Sequence, residues 1–163
     1  MAPEQKPGKS KQDYSTPIEL IDAITNLLGI GYFDWDLAAD STNKVAPHYY
    51  DEDSNALADH NTWNFKDWAW CNPPYSNIEP WVKKAHFESM KGAKIAMLIP
   101  ASPGSNWWRD WVDRKALVLF LNGRITFKGM TAPYPKDSAL LLYGIQPKVN
   151  GYKIWDWRKG EII

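Results

Sequence analysis

The sequence predicts an α/β fold with a mostly parallel central sheet flanked by helices. Stretches with apolar residues at helical spacing alternate with short apolar runs that are typical of buried strands. This alternation places helices against the faces of a parallel sheet, and no internal repeat is evident. At 163 residues the chain is long enough for one domain with a substantial core and too short for two.

The first predicted helix begins at Thr16. Thr16 as a hydroxyl N-cap, Pro17 at the first helical position and Glu19 at N3 form the capping-box pattern. Apolar residues then recur at helical spacing and two glycines end the helix; these are Ile21, Ile24, Leu27, Leu28, Gly29 and Gly31. The helix therefore has one buried face.

Strands, helices and two long loops follow in order. Residues 33–37 alternate apolar and acidic side chains, which indicates a strand with one polar side. Residues 38–61 are polar and irregular, a length of loop that is usually functional or disordered. The remaining predicted elements are a strand ending at 68–71, a helix opening at 77–82, a strand at 93–99, a helix at 106–114, a strand at 116–121, a loop at 122–138 and a last strand at 139–145.

The most informative motif is Asn72-Pro73-Pro74-Tyr75, the NPPY motif. The two prolines fix φ and remove two backbone donors, so the carbonyls of Asn72 and Pro73 can act as acceptors beside the Asn72 side-chain oxygen. Tyr75 offers a flat face on which a heterocycle can stack. Such an arrangement suits a planar exocyclic amine that is to be methylated. The alternative is a polyproline-type turn after a strand, and such turns are common in proteins that are not methyltransferases.

Composition limits the partners and the environment. Lys+Arg equals Asp+Glu at 19 each, so any contact with nucleic acid must be a local patch. The single cysteine, Cys71, excludes an internal disulfide and is expected to be a small buried hydrophobe in a reducing cytoplasm. No apolar run approaches the length of a membrane span. The histidines, His48, His60 and His86, form no convincing metal cluster, so we expect no metal.

The sequence predicts a flexible N-terminal arm followed by one domain. Residues 1–12 are rich in Lys, Pro and Gln and lack packing residues, which indicates a flexible arm with weak phosphate contact as a candidate role. Residues 13–163 form a single domain. The ten tryptophans mostly fill the core, although Trp107 and Trp108, expected in a loop after a strand, are candidates for stacking against bases.

Several motifs in a fixed order resemble the phage-type Dam family of DNA adenine N6-methyltransferases, within the S-adenosylmethionine-dependent amino-methyltransferases. The resemblance covers roughly residues 14–144. The motifs are Ser15-Thr16-Pro17, the run Phe33-Asp34-Trp35-Asp36-Leu37-Ala38-Ala39, Trp63, the NPPY motif with Ser76, Leu98-Ile99-Pro100-Ala101 and Gly123-Arg124-Ile125-Thr126-Phe127. Together they are more specific than any one of them.

The resemblance implies a Rossmann-like methyltransferase fold that binds S-adenosylmethionine beside the NPPY motif. Thr16 and Pro17 would lie near the methionine part of the cofactor, and Asp36 would contact its amino group. Asp51 or Asp53 would hold the ribose, although ordinary solvated carboxylates explain those two residues more simply. The remaining cofactor residues implied are Ala38, Asp59 and Asn72. Amino-methyltransferases commonly have a Gly-rich turn where this chain has Ala38-Ala39, a version that the phage-type family tolerates.

The same resemblance implies double-stranded DNA as the partner, in the cytoplasm of a bacterial host of a phage or prophage. Asn72 Oδ1 and the Pro73 carbonyl would hold adenine N6, and the flipped base would stack on Tyr75. The expected nucleic-acid contacts are Tyr75, Ser76, Trp107, Arg124 and Lys128. One domain leaves no room for a large recognition domain, so we expect short or relaxed sequence specificity, with a homodimer as one source of extra surface.

The motif leaves rival functions open. The same acceptors suit cytosine N4, an RNA adenine or a glutamine side-chain amide. A catalytically idle nucleic-acid-binding module that keeps the fold is the alternative from another class.

Overall fold

An eight-stranded mixed sheet organises the computed structural model, which describes residues 15–145 and 151–163. The predicted arm at residues 1–12 lies outside these ranges. The helices are α1 (Ile18–Leu28), α2 (Glu79–Met90) and α3 (Asn106–Trp111). The strands are β1 (Trp35–Asp36), β2 (His48–Tyr49), β3 (Ala69–Cys71), β4 (Ile95–Pro100), β5 (Leu117–Asn122), β6 (Ser138–Tyr143), β7 (Tyr152–Asp156) and β8 (Glu161–Ile162).

The strand order is β2-β1-β3-β4-β6-β5-β7-β8. Strands β2, β1, β3 and β4 are mutually parallel, and β7 runs parallel to β5. Strand β6 is antiparallel to both of its neighbours, and β8 is antiparallel to β7. The prediction of an α/β fold with a mostly parallel sheet is therefore confirmed, with antiparallel strands β6 and β8 as the exceptions.

The two faces of the sheet carry separate apolar clusters. Alternate residues of β4 point to opposite faces, as the two-residue period of a strand requires: Met97 lies in the cluster that contains Val82 of α2 and Trp108 of α3, whereas Leu98 lies in the cluster that contains Ile24 of α1. Strands β4 and β6 are buried along their whole length. Helices thus cover both faces, which explains the continuous apolar runs of the central strands.

The predicted capping box is wrong. Helix α1 starts at Ile18, its N-cap is Pro17, and no side chain caps it. The Pro17 carbonyl accepts hydrogen bonds from the Leu20 and Ile21 N–H groups at 3.1 and 3.2 Å, so the first turn closes without a hydroxyl. At the other end the prediction is confirmed, because Gly29 ends the helix with φ 69°, a left-handed conformation that glycine adopts without strain.

Three strands lie where the sequence predicts a loop or no further strand. The predicted loop at 38–61 contains β2, which has only two residues and therefore gives no periodic signal. The strand predicted as the last one is β6, and it is followed by β7 and β8. Three of the five β7 residues are exposed, so that strand lacks the buried run by which strands are recognised. Within the ranges described here, no helix has the length and apolar character needed to cross a membrane.

Candidate active site at the carboxyl ends of the parallel strands

The carboxyl ends of β1, β2 and β3 meet at one edge of the sheet. From β1 the chain continues to β2 on one side of β1. It then crosses to β3 on the other side, so the strand order reverses at β1. Ligands of open α/β sheets bind in the crevice at such a reversal, outside the carboxyl ends of the strands. The residues that follow these strands are Leu37 and Ala38 after β1, Tyr50 and Asp51 after β2, and the NPPY motif after β3.

The Asn72 side chain presents an unused acceptor at this edge. Its Nδ2 donates to Thr16 Oγ1 at 3.1 Å, and its Oδ1 is buried with no hydrogen-bond partner among the described residues. A buried acceptor without a donor costs free energy. A ligand that brings an N–H to Asn72 Oδ1 would remove that cost.

The Tyr75 ring is fixed beside Asn72. Its hydroxyl donates to the Leu98 carbonyl of β4 at 3.2 Å. The Tyr134 ring packs edge-on against it with centroids 6.0 Å apart, and Tyr134 in turn packs edge-on against Phe127. Tyr75 is partly exposed, and the neighbouring Ser76 is exposed. The ring is therefore held in one orientation while part of it remains accessible for stacking.

Asp36 organises the loop that crosses from β1 to β2. Its carboxyl group is buried and accepts hydrogen bonds from the Ala38 N–H at 3.2 Å and from the Val45 N–H at 3.1 Å. Burial raises the pKa of Asp36 from 3.8 to about 6, because the loss of solvation outweighs the two hydrogen bonds that favour the charged form. The contact of Asp36 with a cofactor stays a prediction.

A cavity of about 280 Å³ lies beyond the ends of β1 and β2. We call it the acidic cavity; its lining is Leu37, Ala38, Ala39, Tyr50, Asp51, Glu52, Asn55, Ala56 and Trp81. The Ser54 N–H and hydroxyl donate to Asp51 Oδ1 at 2.8 and 2.9 Å, and these bonds lower the pKa of Asp51. Asp51 is therefore ionised at neutral pH. A carboxylate after the second strand suits the vicinal hydroxyls of a ribose.

The two other acidic candidates lie outside this lining. Asp53 and Asp59 are exposed, and neither lines the acidic cavity. Of the two ribose candidates, the cavity therefore favours Asp51. The role of Asp59 toward the cofactor stays a prediction.

Two side chains fix the segment 56–61, which forms one wall of the acidic cavity through Ala56. Trp63 Nε1 donates to the Ala56 carbonyl at 2.9 Å. Lys84 of α2 donates from Nζ to the Ala58 and Asn61 carbonyls, both at 2.6 Å, and its Nζ lies 5.6 Å from the Trp63 ring centroid. The wall is thereby tied to α2.

The loop at 123–137 borders the same edge, because it joins β5 to the start of β6, where Ser138 pairs with Pro100 at the end of β4. The Lys128 N–H donates to the Ser15 carbonyl at 2.9 Å, which places Lys128 next to Thr16. Arg124 is exposed and its Nε lies 3.4 Å from Asp137 Oδ1. Both cations are thus available to solvent at the site edge.

Comparison with known proteins assigns the family. The model of the family described as DNA N-6-adenine-methyltransferase (Dam) matches residues 4–140. The chain belongs to this family. It is 30% identical over 120 residues to the DNA N-6-adenine-methyltransferase of Escherichia phage T1, a match that covers 74% of this chain and 49% of that protein.

A second Dam relative is the DNA N-6-adenine-methyltransferase of Haemophilus phage HP1 (strain HP1c1). The identity is 32% over 101 residues, which cover 58% of this chain and 54% of that protein. The chain spans about half the length of the curated relatives that it matches. The resemblance inferred from the motifs is confirmed.

Trp107 and Trp108 lie in α3, within the helix predicted at 106–114, and not in the loop expected for their contact with bases. Trp108 is buried, so it is not available as a wedge, whereas Trp107 is partly exposed. The contact of Trp107 with DNA stays a prediction.

Neither the cysteine nor a metal cluster offers further chemistry among the described residues. Cys71 is buried, as predicted, and burial raises the pKa of its thiol well above the ordinary value, so it remains protonated. In the part of the chain that the structure describes, no group of three or more His, Cys, Asp or Glu residues could hold a metal ion.

Sequence reasoning missed three contributors to the site. Lys84, Asn55 and Trp81 are not among the site residues that the sequence predicts. Trp81 follows the NPPY motif on α2, but its contact with the acidic cavity depends on how α2 packs against the loop after β2. That packing joins residues far apart in the sequence, so spacing alone gives no signal for it.

Proposed function

We propose that this chain transfers a methyl group from S-adenosylmethionine to N6 of an adenine in double-stranded DNA. The observation that carries the proposal is Asn72 Oδ1, which is buried and has no hydrogen-bond partner within residues 15–145 and 151–163, beside the fixed ring of Tyr75. Both relatives bear the name DNA N-6-adenine-methyltransferase, which favours adenine N6 over cytosine N4 or an amide.

The residues at the strand ends fit the cofactor. Asp51, in the acidic cavity, would bind the ribose hydroxyls, and Ala38 would approach the cofactor through its backbone. Thr16, Pro17, Asp36, Asp59 and Asn72 complete the proposed cofactor contacts. When bound, S-adenosylmethionine supplies a methyl group activated by its sulfonium. The acidic lining suits a donor with that positive charge.

The NPPY motif would hold and orient the acceptor amine. The adenine N6 lone pair is delocalised into the ring, so N6 is a weak nucleophile until its geometry becomes tetrahedral. Asn72 Oδ1 and the Pro73 carbonyl would accept hydrogen bonds from the two N6–H groups. These bonds strengthen as positive charge develops on nitrogen, which stabilises the transition state more than the ground state. The surplus N6 proton then passes to solvent, so no side-chain base is required.

The base must leave the duplex to reach Tyr75, which costs a few kcal/mol. Stacking on Tyr75 offsets part of that cost, by about 1–3 kcal/mol. Ser76, Trp107, Arg124 and Lys128 would contact the surrounding DNA. We propose that these few contacts read a short or relaxed recognition sequence, with a homodimer adding surface. The phage origin of both relatives supports action on DNA in the cytoplasm of a bacterial host.

A nucleoside digest tests the function. Unmethylated DNA is incubated with the protein and S-adenosylmethionine carrying a labelled methyl group, digested to nucleosides and separated. We expect the label in N6-methyladenine. Label in N4-methylcytosine, or labelled RNA or protein with unlabelled DNA, would assign the site to another amine.

A further inference from the structure

A second cavity, of about 470 Å³, lies between the start of α1 and the loop that crosses from β1 to β2. We call it the Lys44 cavity; its lining is Ser15, Thr16, Ile18, Tyr32, Phe33, Thr42, Asn43, Lys44, Val45, Ala46, Pro47 and Lys128. Its volume falls in the range of roughly 300–1,000 Å³ that is typical of ligand sites. Of the residues that line it, only Thr16 is among the proposed cofactor contacts.

The Lys44 cavity adjoins the amine-binding position. Thr16 lines it and also accepts the hydrogen bond from Asn72 Nδ2. On the same side, the Lys128 N–H donates to the Ser15 carbonyl, which brings the loop at 123–137 to the rim. A molecule in this cavity would therefore lie next to whatever Asn72 holds.

The charge of the Lys44 cavity is opposite to that of the acidic cavity. Among the described residues its lining contains Lys44 and Lys128 and no Asp or Glu, whereas the acidic cavity contains Asp51 and Glu52 and no Lys or Arg. In a chain whose formal net charge is zero, this separation is local. The Lys44 cavity suits an anion.

The loop that carries Lys44 is held in shape by its own hydrogen bonds. Asp40 Oδ1 accepts from the Thr42 N–H at 2.8 Å and from the Asn43 N–H at 3.0 Å, and the buried Asp36 accepts from the Val45 N–H. Lys44 therefore projects from an ordered turn. Binding an anion through Lys44 therefore costs less conformational entropy than binding it through a lysine on a flexible loop.

The Lys44 cavity also offers surfaces for a flat heterocycle. The Tyr32 ring at its rim is 69% exposed, and Phe33 and Ala46 form a buried apolar floor. Cations beside an exposed aromatic ring are a combination by which proteins hold single-stranded nucleic acid, with the cations on the phosphates and the ring against a base.

We propose that the Lys44 cavity binds a nucleotide that neighbours the target adenine, with its phosphate at Lys44 and Lys128 and its base against Tyr32. The proposal rests on the proposed function, because DNA is the substrate there. The carboxylate of S-adenosylmethionine is the other anion near Thr16, and the test separates the two.

The first experiment tests whether the anion in the Lys44 cavity is a DNA phosphate. It measures the binding of duplex DNA by fluorescence anisotropy between about 50 and 200 mM salt, with S-adenosylhomocysteine present. The double variant Lys44→Gln/Lys128→Gln should bind about tenfold more weakly at low salt, and its salt slope should fall by about 0.9, the value for one phosphate. Tyr32→Ala should weaken binding at least about fivefold. The matched controls are Lys153→Gln and Tyr152→Ala, which alter exposed residues of β7. Four strands separate β7 from β1, so these variants should leave both quantities unchanged.

Calorimetry with S-adenosylmethionine alone separates the two anions. The lysine double variant should bind the cofactor as the wild type does. Weaker cofactor binding with an unchanged DNA salt slope would mean that the lysines hold the cofactor carboxylate, and the proposal would be overturned.

Replacing single phosphates by methylphosphonates around the methylated adenine tests the position of the nucleotide. One neutralised phosphate next to the target should reduce methylation by the wild type and have no further effect on the lysine double variant. Independent effects at every position would overturn the proposal. Failure of the proposed function itself would be seen separately, as absence of N6-methyladenine with the wild type, while the salt slope does not require methyl transfer.

Discussion

The Asn72 side-chain amide donates to the Thr16 hydroxyl at 3.1 Å, which ties the loop after β3 to the residue two positions before α1. With its nitrogen bound to Thr16, the amide has its oxygen on the opposite side, where it is buried and has no partner in the part of the chain that the structure describes. Thr16 thus determines which end of the amide is offered to a ligand. The sequence placed Thr16 at the helix start, whereas the structure uses it to orient Asn72.

Thr16→Val tests this orientation. The substitution keeps the shape of the side chain and removes the acceptor for Asn72 Nδ2, so the amide is free to rotate. Loss of one hydrogen bond of about 1 kcal/mol should lower kcat about fivefold, with DNA affinity nearly unchanged. Thr16→Ser restores the hydroxyl and should recover activity. A wild-type kcat for Thr16→Val would show that Asn72 is oriented by something else.

Variants of Tyr75 separate stacking from anchoring. Tyr75→Ala removes the ring and should weaken the interaction with an extruded base by about 1–3 kcal/mol. Tyr75→Phe keeps the ring and loses only the hydrogen bond to the Leu98 carbonyl, so a smaller loss is expected. The measurement is kcat/KM on duplex DNA. Equal losses for the two variants would argue against a stacking role.

Lys84→Met tests the wall of the acidic cavity. Its Nζ joins the Ala58 and Asn61 carbonyls to α2, and its loss should loosen the segment that carries Asn55 and Ala56. We expect S-adenosylmethionine to bind about tenfold more weakly by calorimetry, with DNA affinity unchanged. Lys83→Met, at the neighbouring exposed position, is the control. Unchanged cofactor affinity for Lys84→Met would exclude this positioning role.

The buried Asp36 predicts a specific pH dependence of stability. Its pKa is about 6 in the folded protein and near 3.8 when exposed, so between these values the folded state binds more protons than the unfolded state. The contribution of Asp36 to stability therefore falls as pH rises through this window, by about 3 kcal/mol.

Urea unfolding of wild type and Asp36→Asn from pH 4 to 7 measures this contribution. The other titrating groups are common to both proteins, and the different hydrogen bonding of the Asn amide is independent of pH. The wild type should lose stability relative to Asp36→Asn as pH rises. A constant difference, or a relative gain by the wild type, would contradict the shifted pKa.

The parts of the fold that could be predicted are those in which local pattern and burial coincide. Strand β4 is buried on both faces, so its continuous apolar run identified it. Strand β2 has two residues and depends on pairing with β1, and β7 exposes Tyr152 and Ile154. Such strands are specified by their neighbours in the sheet, which no local window contains.

The candidate site divides in the same way. The NPPY motif was recognisable because its residues are contiguous and their chemistry is local. The acidic cavity combines Asp51 and Asn55 with Trp81 of α2, and the Lys44 cavity combines Lys44 with Lys128, from separate loops. These associations arise from packing across the sheet edge, so only the structure shows them.

Methyl transfer by Asn72→Ala, measured in a single turnover with cofactor binding checked by calorimetry, tests the central claim most directly. We expect the variant to bind S-adenosylmethionine and to form N6-methyladenine at least about a hundredfold more slowly than the wild type, the scale for loss of one transition-state hydrogen bond. A rate near that of the wild type would show that Asn72 does not hold the reacting amine and would contradict the mechanism proposed for the NPPY motif.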